Sequence, residues 1–112
     1  MMFINGQGGL LKNDYKALHL FKNACNNKDS LSCSNLGMMY QYGRATLQNY
    51  SKASHLYIKS CNLGDNLGCY NIGVMYVYGR GVTQSDLKAK EYFSIACKNG
   101  LTQGCHNYSL LK

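Results

Sequence analysis

Proline and tryptophan are absent from this chain of 112 residues, and acidic side chains are scarce, five against twelve lysines and arginines. Without proline, helix ends must be set by glycine and by capping side chains. No apolar run approaches the roughly 20 residues of a membrane-spanning helix, so the sequence holds no such span. The opening Met1-Met2-Phe3-Ile4-Asn5-Gly6 lacks the basic start and apolar stretch of a secretory signal. There is no Cys-x-x-Cys, and His19, His55 and His106 supply no recurring ligand pair, so no metal is expected. No cofactor is expected either. The net charge of +7 comes from lysines spread singly along the chain. Such a surface attracts acidic partners weakly and without specificity. No block of basic and aromatic residues points to nucleic acid.

What is present is cysteine in a fixed pattern. Cys25/Cys33, Cys61/Cys69 and Cys97/Cys105 form three pairs with seven residues inside each, and each pair follows the last by 36 residues. A constant period of this size means a stack of like units, not a core built around one active site. Superposed at that period, Lys16/Lys52/Lys88, Ala17/Ala53/Ala89, Phe21/Tyr57/Phe93, Ala24/Ser60/Ala96 and Asn35/Asn71/Asn107 recur with the cysteines.

Ala17, Leu20, Phe21 and Ala24 stand at the spacing of a helical apolar stripe, and Cys33, Leu36, Gly37 and Tyr40 repeat it. Each unit therefore reads as two helices, first and second. Were both cysteines on one straight helix, their Cα atoms would lie about 12 Å apart. A disulfide needs roughly 7 Å or less, so the chain must reverse between them. Gly64 and Gly100 suit that reversal, and Lys28 stands in their place in unit one. Asn13, Asn49 and Ser85 are the expected caps of the first helices, Asp29 and Asp65 of two second helices. Small residues at Ala17, Ala24 and Gly37, repeated as Ala53, Ser60 and Gly73, allow the two helices of a unit to approach closely.

The expected fold is all-α: one solenoid over residues 1–112, made of three hairpins at 12–47, 48–83 and 84–112. Residues 1–11 read as the end of a truncated earlier repeat, because Met2 to Gly8 matches Met39 to Ala45 and Met75 to Gly81. That start predicts an apolar edge and a candidate self-association surface at the N-terminal face.

Three states of the cysteines compete. One disulfide per unit, Cys25–Cys33, Cys61–Cys69 and Cys97–Cys105, accounts for the even number, the identical spacing and the hairpin. Reduced, buried cysteine explains burial but not the recurrence of both partners. Zinc lacks its ligand spacing. The first reading implies export to an oxidising compartment.

The string Lys52-Ala53…Tyr57…Cys61…Gly68-Cys69…Asn71-Ile72-Gly73…Tyr76…Gly79-Arg80-Gly81 resembles the Sel-1-like repeat family of α/α solenoids, which are TPR-like. The cysteine spacing is similar to its disulfide-rich branch, the Helicobacter cysteine-rich proteins. The resemblance implies a binding module for peptides or proteins along a concave face. For the cysteine-rich branch it implies secretion or a periplasmic location, penicillin binding and weak beta-lactam hydrolysis, hence its label as a beta-lactamase family. The chain departs from the pattern at Ala45 and at Ser109, where the other units carry Gly81 and Gly37 or Gly73.

The residues themselves give little support to an enzyme. Ser85-Asp86-Leu87-Lys88 matches Ser-x-x-Lys, but Lys88 is the repeat lysine and Ser85 a helix cap. The companion Ser-Asp-Asn and Lys-Thr-Gly elements are missing. Recurrence instead nominates ligand-binding candidates. Asn35, Asn71 and Asn107 form a ladder of amides able to hold a peptide backbone or a sugar-peptide; alternatively they bond the loops between units. Lys16, Lys52 and Lys88 could meet a carboxylate or simply be solvated. His19 and His55 face a groove or the surface. The favoured function is a binding module for peptides, proteins or cell-wall-derived, penicillin-like ligands, with a weak beta-lactamase as the alternative.

Overall fold

A computed structural model describes residues 7–111, with side chains described from Asn13 to Leu111. Six helices follow one another: α1 Gln7–Asn26, α2 Ser30–Tyr42, α3 Tyr50–Asn62, α4 Asn66–Tyr78, α5 Asp86–Lys98 and α6 Thr102–Leu110. Among the described residues there is no strand. Consecutive helices pack as antiparallel neighbours, and α2 also touches α4 directly. Elements that approach their own counterparts line the inner side of a curved stack. Here these are the second helices α2 and α4.

The turn inside each hairpin is the same. Lys28, Gly64 and Gly100 take positive φ of 70°, 104° and 101°. Lys28 thus adopts the left-handed conformation that glycine reaches cheaply, at a cost of about 1–2 kcal/mol for an L side chain. The turn brings each cysteine pair together. Cys25–Cys33, Cys61–Cys69 and Cys97–Cys105 are disulfides with Cα atoms 4.6, 4.5 and 4.6 Å apart. No described cysteine is free.

Capping follows the sequence at four sites, with differences in detail. Asn49 accepts from the Lys52 N–H at 3.0 Å and Ser85 from the Lys88 N–H at 3.1 Å. Asp65 accepts from the Leu67 N–H at 3.2 Å. Asp29 precedes α2 but takes the Ser32 hydroxyl at 2.8 Å in place of a backbone N–H. Asn13 is not a cap, because it lies inside α1. A polar residue ahead of an apolar stripe starts a helix only where the chain turns, and α1 already runs from Gln7. The expectation for Met2 to Gly8 falls largely on residues 1–6, outside the described residues, as does the N-terminal self-association face.

The core joins units more than it joins the helices of one unit. A Cβ on Gly37 would lie 2.7 Å from the Tyr57 ring, and one on Gly73 would lie 2.6 Å from the Phe93 ring. These glycines of α2 and α4 therefore seat an aromatic from the following unit, not the first helix of their own. Close approach within a hairpin falls to Gly68 against Ser60 and Cys61, and to Gly104 against Ala96 and Cys97. Tyr57, Phe93, Ile72 and Met75 are fully buried. Burying each of these stabilises the fold by about 1.5–3 kcal/mol. Polar ties cross the units as well: the Ser60 hydroxyl donates to the Ser30 carbonyl and the Ser54 hydroxyl to the Arg80 carbonyl, at 2.8 and 2.9 Å.

Candidate functional site

The inner face carries a half-open groove. Between α4 and α6 it widens to a cavity of about 380 Å³, floored by Phe93 and lined by Tyr70, Val74, Tyr78, Asn107 and Leu110. Between α1 and α2 a second hollow of about 430 Å³ has Asp14, Phe21, Asn35, Met38, Tyr42 and Arg44 on its walls. Met38 and Val74 are equivalent positions, as are Tyr42 and Tyr78. The two hollows also share an aromatic floor, Phe21 or Phe93, and an asparagine, Asn35 or Asn107, while Asn71 lines neither.

The structure divides the sequence candidates into two sets. Asn35, Asn71 and Asn107 lie half-buried on α2, α4 and α6. Lys16, Lys52, Lys88, His19 and His55 are all exposed on α1, α3 and α5. The amides and the cations thus belong to different helices and form no common site. Asn107 donates from Nδ2 to the Tyr70 hydroxyl at 3.1 Å. Among the described residues the side chains of Asn35 and Asn71 make no hydrogen bond, so water or a ligand can take both their donors and their acceptors. Lys52 Nζ stands 5.2 Å over the Tyr40 ring, and His55 Nδ1 lies 2.9 Å from the Ser51 carbonyl. Both line a shallow hollow of about 290 Å³ with Leu36 and Leu56. Ser85 spends its hydroxyl oxygen on capping α5. Among the described residues no three His, Cys, Asp or Glu side chains converge, and no helix is long and apolar enough to cross a membrane.

Met38, Val74, Tyr42, Tyr78 and Arg44 line the two hollows but were not singled out as binding candidates from the sequence. Their signal was there, since each recurs at the 36-residue period. Which helices line the hollows was not legible from that recurrence. Beneath the groove the Tyr57 hydroxyl donates to Gln41 Oε1. Burial, with Tyr42 nearby, pushes the Tyr57 phenol well above its ordinary pKa. Tyr92, stacked on Tyr76 with ring centroids 5.9 Å apart, is raised too, first by burial and then by Tyr76 and Glu91.

Similar folds are known. Helicobacter pylori cysteine rich protein B matches with a TM-score of 0.79 and 29% identity, over 92% of this chain and 71% of that one. A protective antigen present in uropathogenic Escherichia coli strains, displaying an SLR fold, gives 0.75 and 30% over 78% of this chain and 19% of its own. A Sel1 repeat protein from Oxalobacter formigenes gives 0.74 and 25% over 80% of this chain and 36% of its own. The chain thus spans well under half of the latter two. No curated protein matches by sequence. The Sel1 repeat family model matches residues 1–29, 30–65 and 66–101, its second and third copies each opening at or beside the start of a second helix. With that match spanning most of a chain built from bridged helical pairs, the protein belongs to the Sel1 repeat family, whose members typically serve protein interaction.

Proposed function

We propose that the chain is an extracytoplasmic binding module that holds an extended segment of a partner protein along the groove of α2, α4 and α6. The observation that carries this reading is the repeated lining. Asn35 lines one hollow with Met38 and Tyr42, Asn107 lines the other with Val74 and Tyr78, and Asn71 is the equivalent half-buried amide of the intervening helix α4. An extended peptide offers a backbone donor and acceptor at every residue and alternating side chains, which suits amides spaced along an apolar floor. Three disulfides fit a secreted or periplasmic location, since such bonds persist in oxidising compartments.

The family resemblance also implies penicillin binding and weak beta-lactam hydrolysis. No described residue favours turnover: Ser85 is engaged as a cap and Lys88 is exposed. Protein binding is therefore the reading proposed. Selection of a displayed random-peptide library on the oxidised protein tests it. Enriched peptides should lose binding to Val74→Glu and weaken on Asn71→Ala, with melting temperatures unchanged. Failure to enrich any sequence, or enriched peptides that ignore Val74→Glu, would remove the groove as the site.

A further inference from the structure

Arg44 and Arg80 are equivalent, each two residues past the tyrosine that ends a second helix. Their surroundings differ. Arg44 Nη2 donates to Asp14 Oδ1 at 2.7 Å. The residue equivalent to Asp14 in the next unit is Tyr50. Arg80 accordingly meets an aromatic where Arg44 meets a carboxylate. Its guanidinium lies over the rings of Tyr50 and Tyr78, 5.7 and 5.0 Å from their centroids.

Every acidic side chain of the chain lies among the described residues, and none pairs with Arg80. Asp14 holds Arg44. Asp29 accepts from Ser32, and Asp65 caps α4. Asp86 accepts from Gln84 at 2.8 Å, and Glu91 is exposed on α5. Among the described residues the Arg80 side chain makes no hydrogen bond at all.

Stacking on aromatic rings uses the faces of a guanidinium and leaves its N–H edge free. That edge is a planar fork matched to a carboxylate. The backbone beneath it is held firmly. The Arg80 N–H donates to the Met75 carbonyl at 2.9 Å, and its carbonyl accepts from Ser54. Gly81 lies so close to the Tyr50 carbonyl that a Cβ has no room. Arg80 is thus fixed beside the first turn of α3, which contains no acidic residue. Tyr78, one of its two platforms, also lines the groove cavity with Val74 and Asn107.

We propose that Arg80, set between Tyr50 and Tyr78, binds the side-chain carboxylate of an acidic residue in the segment held by the groove. This rests on the groove being a peptide site and adds the chemistry of its occupant. A chain of net charge +7 in which four of the five carboxylates are already engaged favours an acidic partner on electrostatic grounds.

Titration of ¹⁵N-labelled protein with acetyl-Leu-Glu-Val-Leu-amide and with its glutamine counterpart tests the assignment by NMR. Both peptides should shift the Asn71, Val74 and Asn107 resonances, and only the glutamate peptide the Arg80 Nε–H. The glutamate peptide should bind about tenfold more tightly, as one charge-assisted pair permits. Arg80→Gln should erase that preference, and Arg44→Gln should leave it. Equal groove shifts with a silent Arg80 would overturn the acidic anchor and leave peptide binding standing. Silence from every groove resonance would overturn both. Discrimination that survives Arg80→Gln overturns the assignment. So does tight binding of the glutamine peptide only when its C-terminus is a free carboxylate.

Discussion

Tyr57 is 0% exposed beneath the groove, with its hydroxyl directed to Gln41, while Phe21 and Phe93 occupy the same position without a hydroxyl. Its raised pKa ties stability to pH. The folded state holds the phenol proton more tightly than the unfolded chain does. The contribution is complete below the unfolded value of about 10 and is lost progressively as pH rises from there toward the higher folded value. Melting temperature should therefore fall steeply above about pH 10. Tyr57→Phe should flatten that fall and cost about 1 kcal/mol at neutral pH through the lost hydrogen bond. A wild-type profile with no alkaline decline would show the phenol to be solvated. Lys28 makes a second prediction at this scale. Its φ of 70° costs about 1–2 kcal/mol, against about 0.5–1 kcal/mol for glycine's greater freedom when unfolded. Lys28→Gly should thus stabilise the protein by about 0.5–1 kcal/mol in urea unfolding.

Between elements, the decisive contacts are glycine to aromatic. Gly73 on α4 meets the Phe93 ring of α5, so any added methyl must displace a fully buried aromatic. Gly73→Ala should cost about 1–3 kcal/mol as an overpacked interface. Ser109, at the equivalent place on α6, is exposed, and among the described residues no helix packs on it as α5 packs on Gly73. Ser109→Ala should be nearly silent in the same denaturation experiment. Equal effects at both positions would mean that the α4–α5 interface relaxes freely. The helices themselves were legible from their apolar stripes and caps. The partners of their small residues were not. Gly37 and Gly73 read as spacers within a unit, yet they serve the joint to the following one, and the repeat pattern is identical in either case.

Across the whole molecule, each unit contacts mainly its neighbours, so stability should spread along the stack as a sum of unit and interface terms. The bridges contribute by restricting the unfolded chain, about 2.6 kcal/mol for each short loop in the chain-entropy account. Replacing Cys61 and Cys69 together by serine should lower stability by about 2–3 kcal/mol in guanidinium unfolding. It should also loosen both joints of the central unit, which show as faster hydrogen exchange in α2 and α5 than in the wild type. A loss confined to α3 and α4 would mean that the units fold independently of one another.

The period, the hairpins and their bridges were written in the sequence, because a disulfide between residues eight apart is a local constraint and chain reversal is its only solution. The candidate asparagines were visible for the same reason: recurrence marks them without any knowledge of shape. Which faces turn inward was decided by tertiary packing. So was the separation of the asparagines from Lys16, Lys52, Lys88, His19 and His55, which share the period but stand on other helices. The unlike fates of Arg44 and Arg80 have the same origin. Their neighbours, Asp14 and Tyr50, lie 30 residues away along the chain and come within reach only when the helices stack.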